Sequence, residues 1–420
     1  MNSRLLEGKN IVVGVSGSIA IYKSLELIRL FIKSGAKVRV VMSQSAQEFI
    51  SPLTFEALTR QSVLTKESES WSNQNNHIDI GKWADLIVVA PATANTINKI
   101  SNGLADNLLL STILAYKKEK IIAPSANTNM YKNPLTLASL KMLKLTNFTI
   151  VEPQNKELAC GDVGDGALAD VEDIFYESAK VLLKDEFWIN RRVVISGGGS
   201  VEKIDDVRYI SNFSSAKMAN SLAKALYLRG ADVCFVTSKK LDLPSSLYTI
   251  EVESSNEFKE YLTDALRVAK KGILTKATLM DDSIPELIQK KPYLFMSAAI
   301  SDYVVKYPQS GKLKKSDIGE SWSLELKQNE DILSSLDKDG VFSVGFKAEM
   351  DSENGLDNAR QMLEKKGLDA VCFNDVGKNS FGSDKNAITL ITKDGEYDLG
   401  VDDKLALSLK IVDRLKDLGD

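Results

Sequence analysis

The residues able to do chemistry in this chain are few and widely spaced. His77 is the single histidine among 420 residues, and the three cysteines are Cys160, Cys234 and Cys372. No two cysteines form a C-x-x-C pair, and one histidine cannot complete a His/Cys zinc cluster within one chain. The odd count also argues against disulfides. Cys234 and Cys372 lie in apolar, strand-like contexts (DVCFV and AVCFN), which predicts burial. Cys160 lies in Ala159-Cys160-Gly161-Asp162-Val163-Gly164-Asp165-Gly166, where the glycines predict a mobile flap and a thiol exposed enough to react. A lone histidine is most simply solvated or structural. His77 draws notice because it precedes a helix–strand segment that ends in Pro91-Ala92-Thr93-Ala94-Asn95.

Two glycine-bearing turns, Ser16-Gly17-Ser18 and Gly197-Gly198-Gly199, could offer backbone N–H groups to a phosphate. Neither is G-x-G-x-x-G or a P-loop, so each is equally consistent with tight packing alone. The lysine run Lys312–Lys315 reads, taken alone, as a solvated loop, as does the stretch Gly377–Asp384.

These residues need a scaffold, and the same plan occurs twice. An apolar run, Ile11–Val15, enters the first turn; a helical pattern then carries Leu25, Ile28, Leu30 and Ile32 inward, with Gly35 as stop and Val38–Met42 as the next strand. Later, Val193–Ile195, the triple-glycine turn, a helix over Ser214–Leu228, a stop at Gly230 and a strand over Val233–Thr237 repeat the order. Short strands are also expected at Leu86–Ala90 and Ile121–Ala123, and a helix at Val171–Leu183. The expected fold is α/β, with two Rossmann-like domains covering 1–187 and 188–420 and mostly parallel sheets whose ligands lie beyond the strands' carboxyl ends. The boundary near 184–190 is short and not rich in Gly or Ser.

Composition narrows the function classes. A net charge of -4 argues against nucleic acid as the main partner. No apolar run approaches the roughly 18 residues of a membrane span, and residues 1–10 carry no signal core, so a cytoplasmic protein is expected.

The first half resembles the flavin-dependent phosphopantothenoylcysteine decarboxylases, within the homo-oligomeric flavin-containing cysteine decarboxylases, over residues 8–180. The resemblance rests on GVSGSIAIYKS (14–24), His77-Ile78, APATAN (90–95), the P-x-x-N-x-x-M-[YW] pattern at 124–131 and ACGDVGDG (159–166). Ala126 departs from the methionine usual before the asparagine. Loss of CO₂ from an N-acylated cysteine leaves a carbanion without an electron sink, and the resemblance implies that FMN supplies one. It implies that His77 is a base, that Asn127 holds the substrate carboxylate by its amide, and that Cys160 is a proton donor. It also implies FMN contacts from Ser16, Gly17, Ser18, Ser43, Thr93 and Asn95. Lys23 is either a supporting residue or a helix-surface cation.

The second half resembles the CTP-using phosphopantothenate–cysteine ligases over residues 190–415. The matching runs include Gly198-Gly199-Ser200, Glu202, Asp205 and Arg208; Ser211-Asn212-Phe213-Ser214-Ser215, Lys217 and Met218; Ala298-Ala299 with Asp302-Tyr303; Lys312, Lys314 and Lys315; Gly345–Glu349; and Asn374-Asp375. The resemblance implies activation of 4'-phosphopantothenate as an acyl-cytidylate, then attack by cysteine, with Mg²⁺ held mainly by the CTP phosphates. Asn212 would contact the intermediate, and Lys312 would serve the cysteine step. Met296, Ser297, Ala298, Asp302, Lys312, Glu330, Asp331, Ile332, Leu333, Phe346 and Lys366 would form the CTP site. Ala216 and Ala219 replace usual glycines, Lys203 and Asp206 replace usual prolines, and Met362 replaces a frequent lysine.

By resemblance the decarboxylase halves trimerise, with FMN near the subunit boundary, and the ligase halves dimerise; twelve chains satisfy both. Two other readings are an ordinary flavin or nicotinamide oxidoreductase and a non-catalytic protein on the flavin fold. The first gives Cys160 no role, and the second does not require His77, Asn127 and Cys160 together.

Overall fold

The structure is a computed structural model describing residues 4–73, 75–279, 284–314, 319–349, 354–375 and 383–418. Lys315, at the end of the lysine run, and residues 377–382 of the Gly377–Asp384 stretch lie outside these. The chain divides into two compact units, residues 1–184 with 276–286, and residues 185–275 with 287–420.

The first unit is built on β1 (Asn10–Val15), β2 (Lys37–Met42), β3 (Leu86–Ala92), β4 (Lys120–Pro124) and β5 (Phe148–Ile150). They pair in the order β2-β1-β3-β4-β5, all parallel. Every residue of β3 and β4 is buried, as a sheet covered by helices on both faces requires. Strand order reverses between β1 and β3, the switch point beyond whose carboxyl ends open α/β sheets bind their ligands. The helix Tyr22–Lys33 turns Ser24, Leu27, Ile28 and Phe31 inward. Leu25 and Leu30 are only partly covered and Ile32 is exposed, which corrects the inward face expected from sequence. The cause is phase: Leu27, Ile28 and Phe31 share one stripe of the helix, and Ile32 lies a residue beyond it.

The second unit has β6 (Arg192–Gly197), β7 (Asp232–Thr237), β8 (Tyr248–Glu251), β9 (Tyr293–Met296), β10 (Phe342–Glu349), β11 (Ala370–Asp375), β12 (Lys385–Thr392) and β13 (Glu396–Asp403). Their order is β8-β7-β6-β9-β10-β11-β12-β13. The first six are parallel in the doubly wound 3-2-1-4-5-6 arrangement, and β12 and β13 add an antiparallel hairpin at one edge. The switch point lies between β6 and β9. Val194, Val236, Leu294 and Val371 from four strands share one core with Phe258, Leu262 and Leu363 from the covering helices.

The helix after the triple-glycine turn begins at Lys217, three residues later than expected. Ala216 just before it is left-handed, with φ 56°. That conformation crowds a β-carbon, which accounts for a glycine at this point in the resembling family. Ala216→Gly is expected to raise stability by about 1 kcal/mol by relieving this strain. The check is the midpoint of urea unfolding, which moves upward.

Candidate functional site

In the first unit the candidate residues gather where β1, β2, β3 and β4 end. Ser16 is buried, and its hydroxyl donates to Pro91 O at 2.7 Å while accepting from Thr93 N at 3.0 Å. It therefore ties the two turns flanking the switch point, and its hydroxyl is already engaged. Gly17 is required by proximity: a β-carbon there would meet Ser45 Cβ at 2.7 Å. Ser18 caps the short turn Ile19–Ile21, with its Oγ 3.0 Å from Ser125 Oγ. Ser43 caps Gln44–Gln47 and lies 3.2 Å from Ser45 by their hydroxyls. Thr93 caps Ala94–Ser101 by accepting from Thr96 N, and Asn95 is exposed beside it. This set of hydroxyls, an amide and turn N–H groups suits the phosphate and ribityl oxygens of a flavin nucleotide. Lys23 sends its amine towards Leu168 O at 3.5 Å.

Asn127 caps Thr128–Tyr131: its Oδ1 accepts from Asn129 N at 2.9 Å. That bond orients the amide, and Nδ2 donates to Cys160 Sγ at 3.4 Å. Cys160 in turn donates to Asp162 Oδ2 at 3.4 Å. The expected flap is an antiparallel hairpin, Gln154–Glu157 with Val163–Ala167, whose turn carries Cys160. Its glycines are seating points. A β-carbon on Gly166 would lie 2.2 Å from Ala126 O, and one on Gly164 would lie 2.4 Å from Thr128 Oγ1. Ala126 N donates to Gly166 O at 3.0 Å, which fixes the hairpin against the Asn127 turn.

His77 begins the helix His77–Trp83, which Asn76 caps. Its Nδ1 lies 3.1 Å from Glu69 Oε1, and Trp71 meets the ring edge-on with centroids 5.7 Å apart. With the carboxylate on Nδ1–H, Nε2 is left free to accept a proton. Glu69 was not singled out from sequence, since the intervening seven residues hide the pairing. Among the described residues, no hydrogen bond or ion pair joins His77 to Asn127 or Cys160.

Of the other thiols, Cys372 is buried and Cys234 partly so. Burial, then the Asp232 charge, pushes Cys234 up to about 11, and burial raises Cys372 further.

In the second unit a cavity of about 460 Å³ opens at the carboxyl ends of the central strands. Asn212, Ser297, Ala298, Asp302, Phe346 and Lys366 line it. The turn after β6 approaches closely: a β-carbon on Gly199 would be 2.8 Å from Asn212 O. Asn212 Nδ2 donates to Ile300 O at 3.0 Å. Beneath the cavity Ser196 is buried; its Oγ accepts from Ser297 N and Ala298 N at 3.1 Å each and lies 3.1 Å from Met296 Sδ.

Other expected nucleotide contacts do not line the cavity. Met296 is buried below it, and Ile332 and Leu333 belong to the core. Glu330 is exposed and paired with Lys259 at 2.6 Å. Asp331 caps Ile332–Ser335 and pairs with Lys366 at 3.1 Å, so it touches the cavity only through that lysine. Lys312 is exposed, on residues 309–313 beside the turn 204–208.

Lys217, Lys347, Lys385 and Lys404 join Lys366 in the wall, together with Met362. Burial, then the nearby Lys217 charge, holds Lys404 below the usual lysine range. Lys385 and Lys404 went unread because strand β12 and the helix Lys404–Lys416 carry no motif; only the sheet brings them to the cavity. Asn374, in the same wall, has a buried Oδ1 without a partner, an acceptor facing a polar cavity. Among the described residues, no group of three His, Cys, Asp or Glu side chains could hold a metal ion. No helix among them is long and apolar enough to cross a membrane.

Residues 1–183 match the Flavoprotein family, and residues 188–279 and 270–418 match the DNA/pantothenate metabolism flavoprotein C-terminal domain. The coenzyme A biosynthesis bifunctional protein CoaBC of Haemophilus influenzae is 36% identical over 98% of this chain and 98% of its own. The protein of the same name from Bacillus subtilis is 36% identical over 98% of this chain and 97% of its own. Among solved structures, the FMN-dependent cysteine decarboxylase SpaF is 27% identical over 41% of this chain and 96% of its own, with TM-score 0.37. With relatives 36% identical over 98% of its length, the chain belongs to the family of coenzyme A biosynthesis bifunctional proteins.

Proposed function

We propose that this chain performs two consecutive steps of coenzyme A biosynthesis. Residues 188–420 join cysteine to 4'-phosphopantothenate using CTP, and residues 1–187 decarboxylate the product, 4'-phospho-N-pantothenoylcysteine, to 4'-phosphopantetheine. The observation that carries the reading is the pairing of Asn127 Nδ2 with the exposed Cys160 thiol at 3.4 Å. It sets an amide that can grip a carboxylate beside a group that can give a proton.

In the decarboxylase, bound FMN would supply the two-electron chemistry that gives the electron pair left on carbon as CO₂ departs somewhere to go. Gly17, Ser18, Ser43, Thr93 and Asn95 would hold it, with Ser16 fixing the turns from below. Asn127 Nδ2 orients the substrate carboxylate, His77 Nε2 takes a proton, and Cys160 Sγ returns one to carbon. The decarboxylase units trimerise, with FMN near the subunit boundary, as the family resemblance implies.

In the ligase, the phosphopantothenate carboxylate attacks the α-phosphorus of CTP and pyrophosphate leaves. The cysteine amine then attacks the acyl carbon; a C–N bond forms, the C–O bond breaks, and CMP departs with its electron pair. The lysines lining the cavity match the triphosphate in sign, and Mg²⁺ would be held mainly by its phosphates. Asn212 holds the acyl-cytidylate and Lys312 serves the cysteine step. The ligase units dimerise, twelve chains satisfy both symmetries, and the enzyme works in the cytoplasm.

The test supplies the full chain with 4'-phosphopantothenate, cysteine, CTP and Mg²⁺ and follows pyrophosphate and CO₂. Both are expected; pyrophosphate without CO₂ leaves only the ligase, and neither product overturns the reading. His77→Asn is expected to lower CO₂ release at least about 10²-fold, the scale of a lost general base. Pyrophosphate release should stay near the parent rate, and loss of both would mean that the sites are not independent.

A further inference from the structure

An amine that serves one chemical step must be held near it, yet Lys312 stands outside every strand and helix of the sheet. The turn between the short strands Val201–Lys203 and Tyr209–Ser211 supplies the missing support. It lies along residues 309–313 and grips their backbone at every second residue. Gln309 N donates to Ile204 O at 2.9 Å, Gly311 N to Asp206 Oδ2 at 2.8 Å, and Leu313 N to Asp205 Oδ2 at 3.2 Å. Leu313 O accepts from the Arg208 guanidinium at 3.3 and 3.4 Å. Lys312 thus sits between two residues whose amides are tied to neighbouring carboxylates.

The two carboxylates differ in what else they do. Asp205 is buried and builds the turn itself: its Oδ1 accepts from Val207 N at 2.8 Å and Arg208 N at 2.6 Å, and its Oδ2 pairs with Arg208 at 2.6 Å. Burial opposes its charge, but these hydrogen bonds and the Arg208 charge together hold its carboxyl below the usual range. Replacing it would dismantle the turn. Asp206 is exposed, and its carboxylate reaches across to Gly311. The resembling family usually has proline here, which has no such acceptor to offer.

We propose that Asp206 is a positioning residue for the ligation: by holding the Gly311 amide it places the Lys312 amine for the attack of cysteine. The proposal rests on the role given to Lys312 above. A charged acceptor fixed 2.8 Å from one amide restricts the backbone immediately before the lysine and narrows the volume that its long side chain explores.

Three variants of the full chain, Asp206→Ala, Asp206→Asn and Lys312→Ala, separate the possibilities. Rapid quench with 4'-phosphopantothenate, CTP and Mg²⁺ but no cysteine reads the first step as pyrophosphate release. Addition of cysteine reads the second as amide formation. Asp206→Ala is expected to leave the first step within about twofold and slow the second about tenfold, the scale of one lost charge-assisted hydrogen bond. Asp206→Asn keeps an oxygen acceptor and should recover most of that loss. Amide hydrogen exchange at Gly311 should quicken in Asp206→Ala and return towards the parent rate in Asp206→Asn. Equal slowing of both steps in Asp206→Ala, or no recovery in Asp206→Asn, overturns the positioning role. A slow cysteine step in Lys312→Ala alone, with Asp206→Ala at the parent rate, overturns it while sparing the role of Lys312. An unaffected cysteine step in Lys312→Ala overturns both together.

Discussion

Where the strand order of a parallel sheet reverses, the two central strands lead their loops in opposite directions, and the sheet's own hydrogen bonds do not fix how those loops diverge. In each unit a buried serine hydroxyl does so. Ser16 donates to the carbonyl of Pro91 and accepts from the amide of Thr93, so the turns after β1 and β3 keep a set separation. Ser196 accepts from the amides of Ser297 and Ala298 at the corresponding place between β6 and β9. Each such bond contributes about 1 kcal/mol net, and an orphaned buried partner costs about 1–3 kcal/mol. The capping residues, glycine approaches and cavity walls are placed relative to these two ties.

On that common frame the two units present different chemistry. The first offers hydroxyls, one amide pair and a thiol, a neutral donor set suited to a large ligand with dispersed polarity. The second gathers Lys217, Lys347, Lys366, Lys385 and Lys404 around one cavity, a concentration of charge that a triphosphate would offset. A net charge of -4 conceals this, because acidic residues elsewhere balance the cluster. Several of its lysines are themselves restrained, as in the pairs Lys217–Asp384 at 2.6 Å and Lys347–Glu349 at 3.0 Å.

Much of this was legible where chemistry is local. Glycine turns after apolar runs marked both strand–helix junctions, and the cysteine contexts separated exposed Cys160 from buried Cys372, although Cys234, expected to be buried, is only partly so. Reading failed where position depends on distant chain. The phase of Tyr22–Lys33 is set by what packs on it, so Ile32 was assigned to the wrong face. The glycines around Cys160 suggested a flap, and what the sequence did not show is that Gly164 and Gly166 seat it closely on Thr128 and Ala126. Residues Glu330–Leu333 were expected at the nucleotide site, but Ile332 and Leu333 pack in the core and Asp331 is a cap. Glu69, Ser196, Lys385 and Lys404 carry no local signal; their partners are loops or strands remote in sequence.

The seating of the Cys160 hairpin bears on how the enzyme evolves and how it spends binding energy. Because Gly164 and Gly166 lie against the backbone and side chain of the Asn127 turn, the thiol and the amide form one preassembled body. A ligand that engages them does not have to freeze a wandering loop, so little of its affinity is consumed in ordering the protein. The same contact restricts mutational drift: a side chain at either glycine would pry the hairpin from the Asn127 turn and so separate the thiol from the amide.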